Sequence, residues 1–307
     1  AAAETIREVT GKLEGSGREI LSLCMTHQRE SFVLLDEHDA PIRPAVLWLD
    51  TRAADQIARF GNDQVHALSG NPPSTTPSLY KLIWLAEHEP QAMRAARRVV
   101  EVHAYLTHEL TGQWVTSWAT ADPMAVLGMS SFEYSEELLA LAGLGLDQMA
   151  ELRPPGSVMA TVTDDVADSL GLPRDLPVVA GAGDGQSAGL GANVTTASRA
   201  YLSLGTSMTM GIHSEQYLYS RAFRTLSSPI AGSYTLEALL SSGGLCIAWF
   251  RDRLSGMDPA DGPIEPRLEE LAAGVPAGAR GVQFLPYLTS AETPYWDANA
   301  RGSFVGF

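Results

Sequence analysis

The segment Pro177–Ser207, PVVAGAGDGQSAGLGANVTTASRAYLSLGTS, sets two apolar runs around a glycine-rich centre. Val178 to Ala180, bounded by Pro177 and Gly181, is short enough to be a buried strand. Gly181, Gly183 and Gly185 then predict a turn that holds one ionisable residue, Asp184, and one amide, Gln186. Small residues follow (Ser187, Ala188, Gly189, Gly191, Ala192) and suit a helix packed closely on a neighbour. Arg199 to Leu204 reads as a second apolar strand, ending in Gly205-Thr206-Ser207. This order belongs to an α/β protein, where strand ends carrying Gly, Asp and Thr hold reacting groups. On that reading Asp184 accepts a proton beside a Gly-Thr-Ser turn that holds phosphate on N–H and hydroxyl groups. The same residues also read as an Asp capping a helix, with glycines that only permit tight turns. GAGDG is neither a Walker loop nor GxGxxG, so the segment alone leaves both readings open.

The whole chain narrows the field. At 307 residues it is long enough for two domains, and 45% hydrophobic with 19% charged residues is ordinary for a globular protein. A net charge of −15 argues against nucleic acid or an anionic membrane as partner. It leaves room for a phosphate site, which needs only local N–H groups and a metal ion. Cys24 and Cys246 lie far apart inside apolar runs and are expected as buried thiols in a reducing compartment, not as a disulfide. No secretory signal and no membrane-length apolar run is present, so the cytoplasm is the expected compartment.

Upstream, Glu4 to Leu13 predicts a helix and Ile20 to Met25 a strand, followed by Thr26-His27-Gln28-Arg29-Glu30. An amide, a guanidinium and a carboxylate in succession offer both donors and acceptors to a polyhydroxylated ligand. They equally form a surface Arg–Glu pair beside an exposed Gln. Ser31 to Asp36 and Ala45 to Leu49 predict further strands, making a short antiparallel set. Asp50 suits a cap for a helix from Ala53 to Phe60. SLYKLIWLAEHEP has helical spacing and stops at Pro90; Ala92 to Arg98 reads as a solvated basic helix. Val99 to Val102 predicts a strand and Ala104 to Leu110 a helix; His103 and His108 lack metal-ligand companions. Asp122, before Pro123, is a helix cap or a ligand contact. Glu136 to Ala142 and Asp164 to Leu170 read as surface helices. Downstream, Met208 to His213 and Tyr234 to Leu240 predict strands, with Arg221 to Ile230 irregular between them. Ser241-Ser242-Gly243-Gly244 opens a helix through LCIAWFRDRL; its start either binds phosphate on free N–H groups or serves close packing.

Four stretches coincide in order: Thr26 to Glu30 with FVLLDEHDAPIRPAVLWLDTR, AGAGDGQSAGLG, YLSLGTS, and FLPYLTSAETPYWDANARGSFVGF. Together they resemble the FGGY family of carbohydrate kinases, which includes xylulokinase, gluconokinase and glycerol kinase. The resemblance implies an actin-like ATPase (RNase H-like) fold of two domains with a cleft between them. It puts a sugar-binding domain at residues 1–194 and the start of a nucleotide-binding domain, incomplete here, at 195–307. It implies ATP-dependent phosphorylation of a sugar or polyol, such as a pentulose, with Mg2+ and no metal ligand assigned among these residues. Asp184 matches the family's catalytic base, and Gly205, Thr206 and Ser207 match the turn that meets the transferred phosphate. Gln28, Arg29 and Glu30 match the substrate-binding strand end, in a form closer to glycerol kinase than to the Met-His version of xylulokinases. Asp50, Asp122 and Gln186 are lesser substrate-contact candidates, and Gly243 and Gly244 are placed near nucleotide. The partner implied is a small-molecule sugar or polyol, with a homodimer the commonest oligomer for a soluble enzyme.

The family opens with a strand and an Asp-x-Gly-Thr turn and closes with a glycine-rich adenosine-binding segment. This sequence starts at AAAETIREVTGKL and stops at Phe307 without either, so these residues are expected to be part of a longer protein. The alternatives are a non-catalytic carbohydrate-binding or regulatory module of the same fold, and an actin- or Hsp70-like ATPase. The latter has no need of Gln28-Arg29-Glu30.

Overall fold

Val178, Ala180 and Ala182 are buried on the strand Pro177–Gly183, the middle strand of a three-stranded sheet. It runs parallel to Leu23–His27 on one side and antiparallel to Val158–Thr161 on the other. The computed structural model describes residues 2–307. The glycine-rich centre is not the expected turn. The strand continues through Gly183 and passes directly into the helix Asp184–Gly191.

The first strands do not form the expected antiparallel set. Leu23–His27 joins the central sheet, whereas Phe32–Leu35 pairs antiparallel with Arg98–Glu101. Ala45 to Leu49 is not a strand and makes only a bridge from Val46 to Phe32. The reason is chemical: the Lys81 ammonium takes the carbonyls of Leu47 and Trp48 that a ladder would need. Asp50 does not cap the helix Ala54–Phe60; its carboxylate turns to the N–H and guanidinium of Arg52.

The main core forms on the helix Ser78–His88, where Leu79, Leu82, Ile83 and Leu85 meet Phe32, Val46 and Leu127. The helix Glu136–Leu141, expected at the surface, contributes Leu138 and Leu139 to the same core. Truncating a leucine such as Leu82 to alanine there costs about 2–5 kcal/mol.

The second half carries a four-stranded antiparallel sheet, ordered Ala200–Leu204, Met208–Ser214, Tyr234–Leu240, Arg224–Ser227. Its edge strand Arg224–Ser227 lies inside the stretch expected to be irregular, and every residue in it is buried. Two bonds from the first half of the chain hold its outer side: the Thr225 N–H donates to the Gly70 carbonyl and the Ser227 N–H to Asp122. Tyr234 stacks on Phe132 at 5.1 Å and joins the main core, so the two halves share packing. The helices Gly244–Arg253 and Ile264–Ala273 follow, then the hairpin Gln283–Leu285 with Ser303–Val305. The expected division at 194/195 falls in the link between the helix Asp184–Gly191 and the strand Ala200–Leu204. Both cysteines are free, but neither is buried: Cys24 is exposed and Cys246 half-buried, its thiol donating to the Ser242 carbonyl. Among the described residues no helix is long and apolar enough to cross a membrane.

Candidate active site

Parallel pairing brings His27 opposite Gly183. The residues just past each strand therefore leave the sheet at the same edge: Gln28-Arg29-Glu30 from one, Asp184 from the other. That edge, the carboxyl ends of parallel strands, is where open α/β sheets bind ligands.

A cluster of charges fills it. Arg29 directs Nε to Asp184 Oδ1 at 3.2 Å and Nη1 to both oxygens of Glu237 at 3.2 and 3.3 Å. Arg224 donates to Glu237 through Nε at 2.7 Å and to Glu30 through Nη1 at 2.6 Å. The Tyr201 hydroxyl adds a third contact to Glu237 at 2.9 Å. Burial pushes the Glu237 carboxyl up, but Arg224 and Arg29 outweigh it and hold the group down at about 2. Such a cluster stands only because its charges are paired and hydrogen-bonded. Arg29 and Glu30 are thus not an exposed pair: Arg29 holds Asp184 and Glu237, and Glu30 holds Arg224.

The glycines explain themselves here. A Cβ on Gly183 would lie 2.5 Å from Arg29 Cγ and 2.6 Å from Cδ. One on Gly185 would lie 3.0 Å from both Arg29 Nη2 and Glu237 Oε2. Their work is to admit a buried arginine, with no turn involved.

Asp184 opens its helix with a side chain 62% exposed. Its two partners, Arg29 Nε and the Gly185 N–H, both address Oδ1. Oδ2 carries no partner among the described residues, and with the side chain largely exposed its acceptor role is open.

Asp122 and Gln186 come together behind this edge, each fully buried. In place of the expected cap, Asp122 accepts the Ser227 N–H at 2.7 Å and lies 3.5 Å from the Gln186 amide. That amide also donates to the carbonyls of Ala119 and Ser227. Burial pushes the Asp122 carboxyl up to about 8. Gln28 stays exposed, its amide 3.4 Å from Ser31, and Asp50 is tied to Arg52.

Gly205, Thr206 and Ser207 form an open turn whose two hydroxyls carry no hydrogen bond among the described residues. Gly243 and Gly244 do not offer free N–H groups. They donate to the carbonyls of Thr206 and Gly205, both at 2.8 Å. A Cβ on Gly243 would lie 2.6 Å from Met208, so the pair serves close packing under the turn. No hydrogen bond or ion pair joins this turn directly to Asp184 among the described residues. The link runs down the strand Ala200–Leu204 to Tyr201, then through Glu237 to Arg29.

Three residues escaped the sequence reading. Glu237 sits in the apolar strand YTLEALL, and Arg224 in the stretch taken as irregular. Lys81 interrupts an apolar helix face; fully buried, it donates to the carbonyls of Leu47, Trp48 and Thr76. A lone charge at an apolar position was the available signal for Glu237 and Lys81. His103 is structural, bonded to Thr116, and no group of three His, Cys, Asp or Glu among the described residues could hold a metal. An apolar cavity of about 330 Å³, lined by residues such as Trp249, Phe250 and Phe304, lies in the second half and contains none of these charged groups.

Comparison with known proteins agrees with this architecture. Residues 1–191 match the model of the FGGY family of carbohydrate kinases, N-terminal domain, and residues 200–307 its C-terminal domain. The chain is 29% identical to the xylulose kinase of Escherichia coli (strain K12) over 94% of its own length and 59% of that protein's. It is 23% identical to the gluconokinase of Bacillus subtilis (strain 168), over 94% of this chain and 58% of that one. Among solved structures, a ligand-bound xylulose kinase from Lactobacillus acidophilus superposes with a TM-score of 0.92 at 27% identity, covering 100% of this chain and 62% of that one. The gluconate kinase of the same organism gives 0.91 at 26% identity. The chain therefore spans about three-fifths of the length of the relatives it matches. Its fold is the actin-like two-domain arrangement of these kinases, and the chain belongs to the FGGY family of carbohydrate kinases.

Proposed function

We propose that this chain supplies the sugar site and catalytic base of an enzyme that moves the terminal phosphoryl of ATP to a hydroxyl of a sugar or polyol. A pentulose such as xylulose fits the same reading. The observation that carries it is Asp184: one oxygen pinned by Arg29 and Gly185, the other open to solvent at the strand edge. An incoming hydroxyl donates to Oδ2 and gives up its proton there as it attacks. Pinning Oδ1 fixes the direction of that acceptor, which is alignment supplied before the reaction. On this reading the exposed Gln28 and Nη2 of Arg29 orient the remaining hydroxyls. Glu30, Asp122 and Gln186 brace the edge from behind.

The Gly205–Ser207 turn fits phosphate, because it is exposed and its hydroxyls are free; Gly243 and Gly244 support it by packing. Mg2+ is read here as arriving with the nucleotide, an ion that keeps water and phosphate oxygens as ligands. When bound, the metal nucleotide supplies the phosphoryl group and neutralises its developing charge. We place the division between the sugar-binding and nucleotide-binding parts at 194/195, and the protein in the cytoplasm, where ATP and free thiols coexist.

The test is ADP release from Mg2+-ATP over a panel of pentuloses, ketoses and polyols, with Asp184→Ala alongside. A variant within about tenfold of wild type removes Asp184 from the role of base.

A further inference from the structure

The cluster at the strand edge mixes charges in an unusual way: two guanidiniums, Arg29 and Arg224, face three carboxylates, Glu30, Glu237 and Asp184. Glu237 is central. It touches both arginines and Tyr201, is 0% exposed, and arrives from the second half of the chain. Arg224 is spent on Glu237 and Glu30 and is itself buried. Arg29 spends Nε and Nη1 on Asp184 and Glu237, leaving Nη2 without an acceptor among the described residues. The other cations nearby are committed as well: Lys81 to three backbone carbonyls, Arg52 to Asp50.

We infer that Glu237 sets the charge selectivity of this site, suiting it to an uncharged polyol or ketose and turning away an aldonate. The inference rests on the sugar-kinase reading above and goes further by naming the substrate's charge and the residue responsible. A hydroxyl finds what it needs here, a donor in Arg29 Nη2 and an acceptor in Asp184 Oδ2. A carboxylate finds no unbalanced cation. It must either displace Glu237 or Asp184 from Arg29 or sit unpaired beside like charges, and breaking the buried Arg29–Glu237 pair is costly. The selectivity is built from repulsion as much as from attraction. Glu237 touches no substrate; it acts through the arginines and is a positioning residue.

The experiment is direct binding to this chain by calorimetry, without nucleotide, comparing xylitol and D-xylulose with D-xylonate and D-gluconate. Xylitol and xylonate differ only in whether one end is an alcohol or a carboxylate. The expected result is tighter binding of the uncharged pair by about tenfold or more, at low and at high salt. Glu237→Gln, which removes one of the three negative charges facing the two arginines, shifts the ratio towards xylonate by about tenfold, and added salt erodes that gain. Equal or tighter binding of xylonate by the wild type overturns the inference and leaves the kinase reading intact. Binding of neither class overturns both. A folded Glu237→Gln chain with an unchanged ratio removes Glu237 from the role. Should that variant not fold, the wild-type ratio still decides the charge of the substrate, and Glu237→Asp, which keeps the charge, must retain the wild-type preference.

Discussion

Arg29 Nε lies 3.2 Å from Asp184 Oδ1, although the two residues are far apart in sequence. The contact exists because two parallel strands end side by side and two glycines leave space for the arginine. It couples the residue proposed to take the proton to the charge network that spans both halves of the chain.

Asp184 has a consequence for kinetics. In the active protein, Asp184→Asn keeps the shape of the site and removes the proton acceptor. The turnover number is expected to fall by about 10²–10⁴, with the sugar KM moving less than about threefold. Steady-state rates across sugar concentrations check this. A loss confined to KM makes Asp184 a binding group.

The glycines predict a contrast in stability. Gly183→Ala drives a methyl into the buried stem of Arg29 and is expected to cost about 1–3 kcal/mol. Gly191→Ala meets open space, and alanine favours the helix by about 0.5–1 kcal/mol. Thermal melts of both variants should move in opposite directions. Matching shifts would show that Gly183 does not make room for Arg29.

Asp122 makes stability depend on pH. Its carboxyl titrates near 3.8 when unfolded and about 8 in the buried site. Between those values the unfolded chain has released a proton that the folded chain retains. The contribution of this group is therefore full below the lower value and declines as pH rises towards the upper one. Asp122→Asn removes the titration, so its stability relative to wild type should improve from about pH 5 to about pH 8. Urea melts at the two pH values measure it; a constant difference rules it out.

Lys81 behaves with the opposite sign. Burial lowers its ammonium from 10.5 to about 8, so its contribution to stability rises with pH across that interval. Lys81→Met strands the carbonyls of Leu47, Trp48 and Thr76 at about 1–3 kcal/mol for each that stays dry. Denaturant melts should show the variant less stable, with the gap widening above about pH 8. A gap that narrows would mean that the folded site favours the ammonium and that burial does not lower its pKa.

Local pattern was enough for the elements whose residues need no distant partner. The helix over Ser78–His88 follows from apolar spacing, and the strand at 177 from an apolar run between Pro177 and Gly181. It failed where a distant group intervened. Ala45 to Leu49 has strand composition, but Lys81 claims its carbonyls. Arg224–Ser227 has no strand signature in isolation, because Asp122 and Gly70 supply bonds that no window around residue 225 contains. Gly243 and Gly244 suit phosphate and packing equally by sequence, and only the fold puts the carbonyls of Thr206 and Gly205 on their N–H groups.

The sequence by itself determined the family and offered Asp184 as the candidate base, since short motifs kept in chain order survive any ignorance of distance. The charge balance was decided only by tertiary structure. Whether Arg29 is a free cation or a neutralised one depends on Glu237, more than two hundred positions along the chain, and a Coulomb interaction is set by separation in space and by burial.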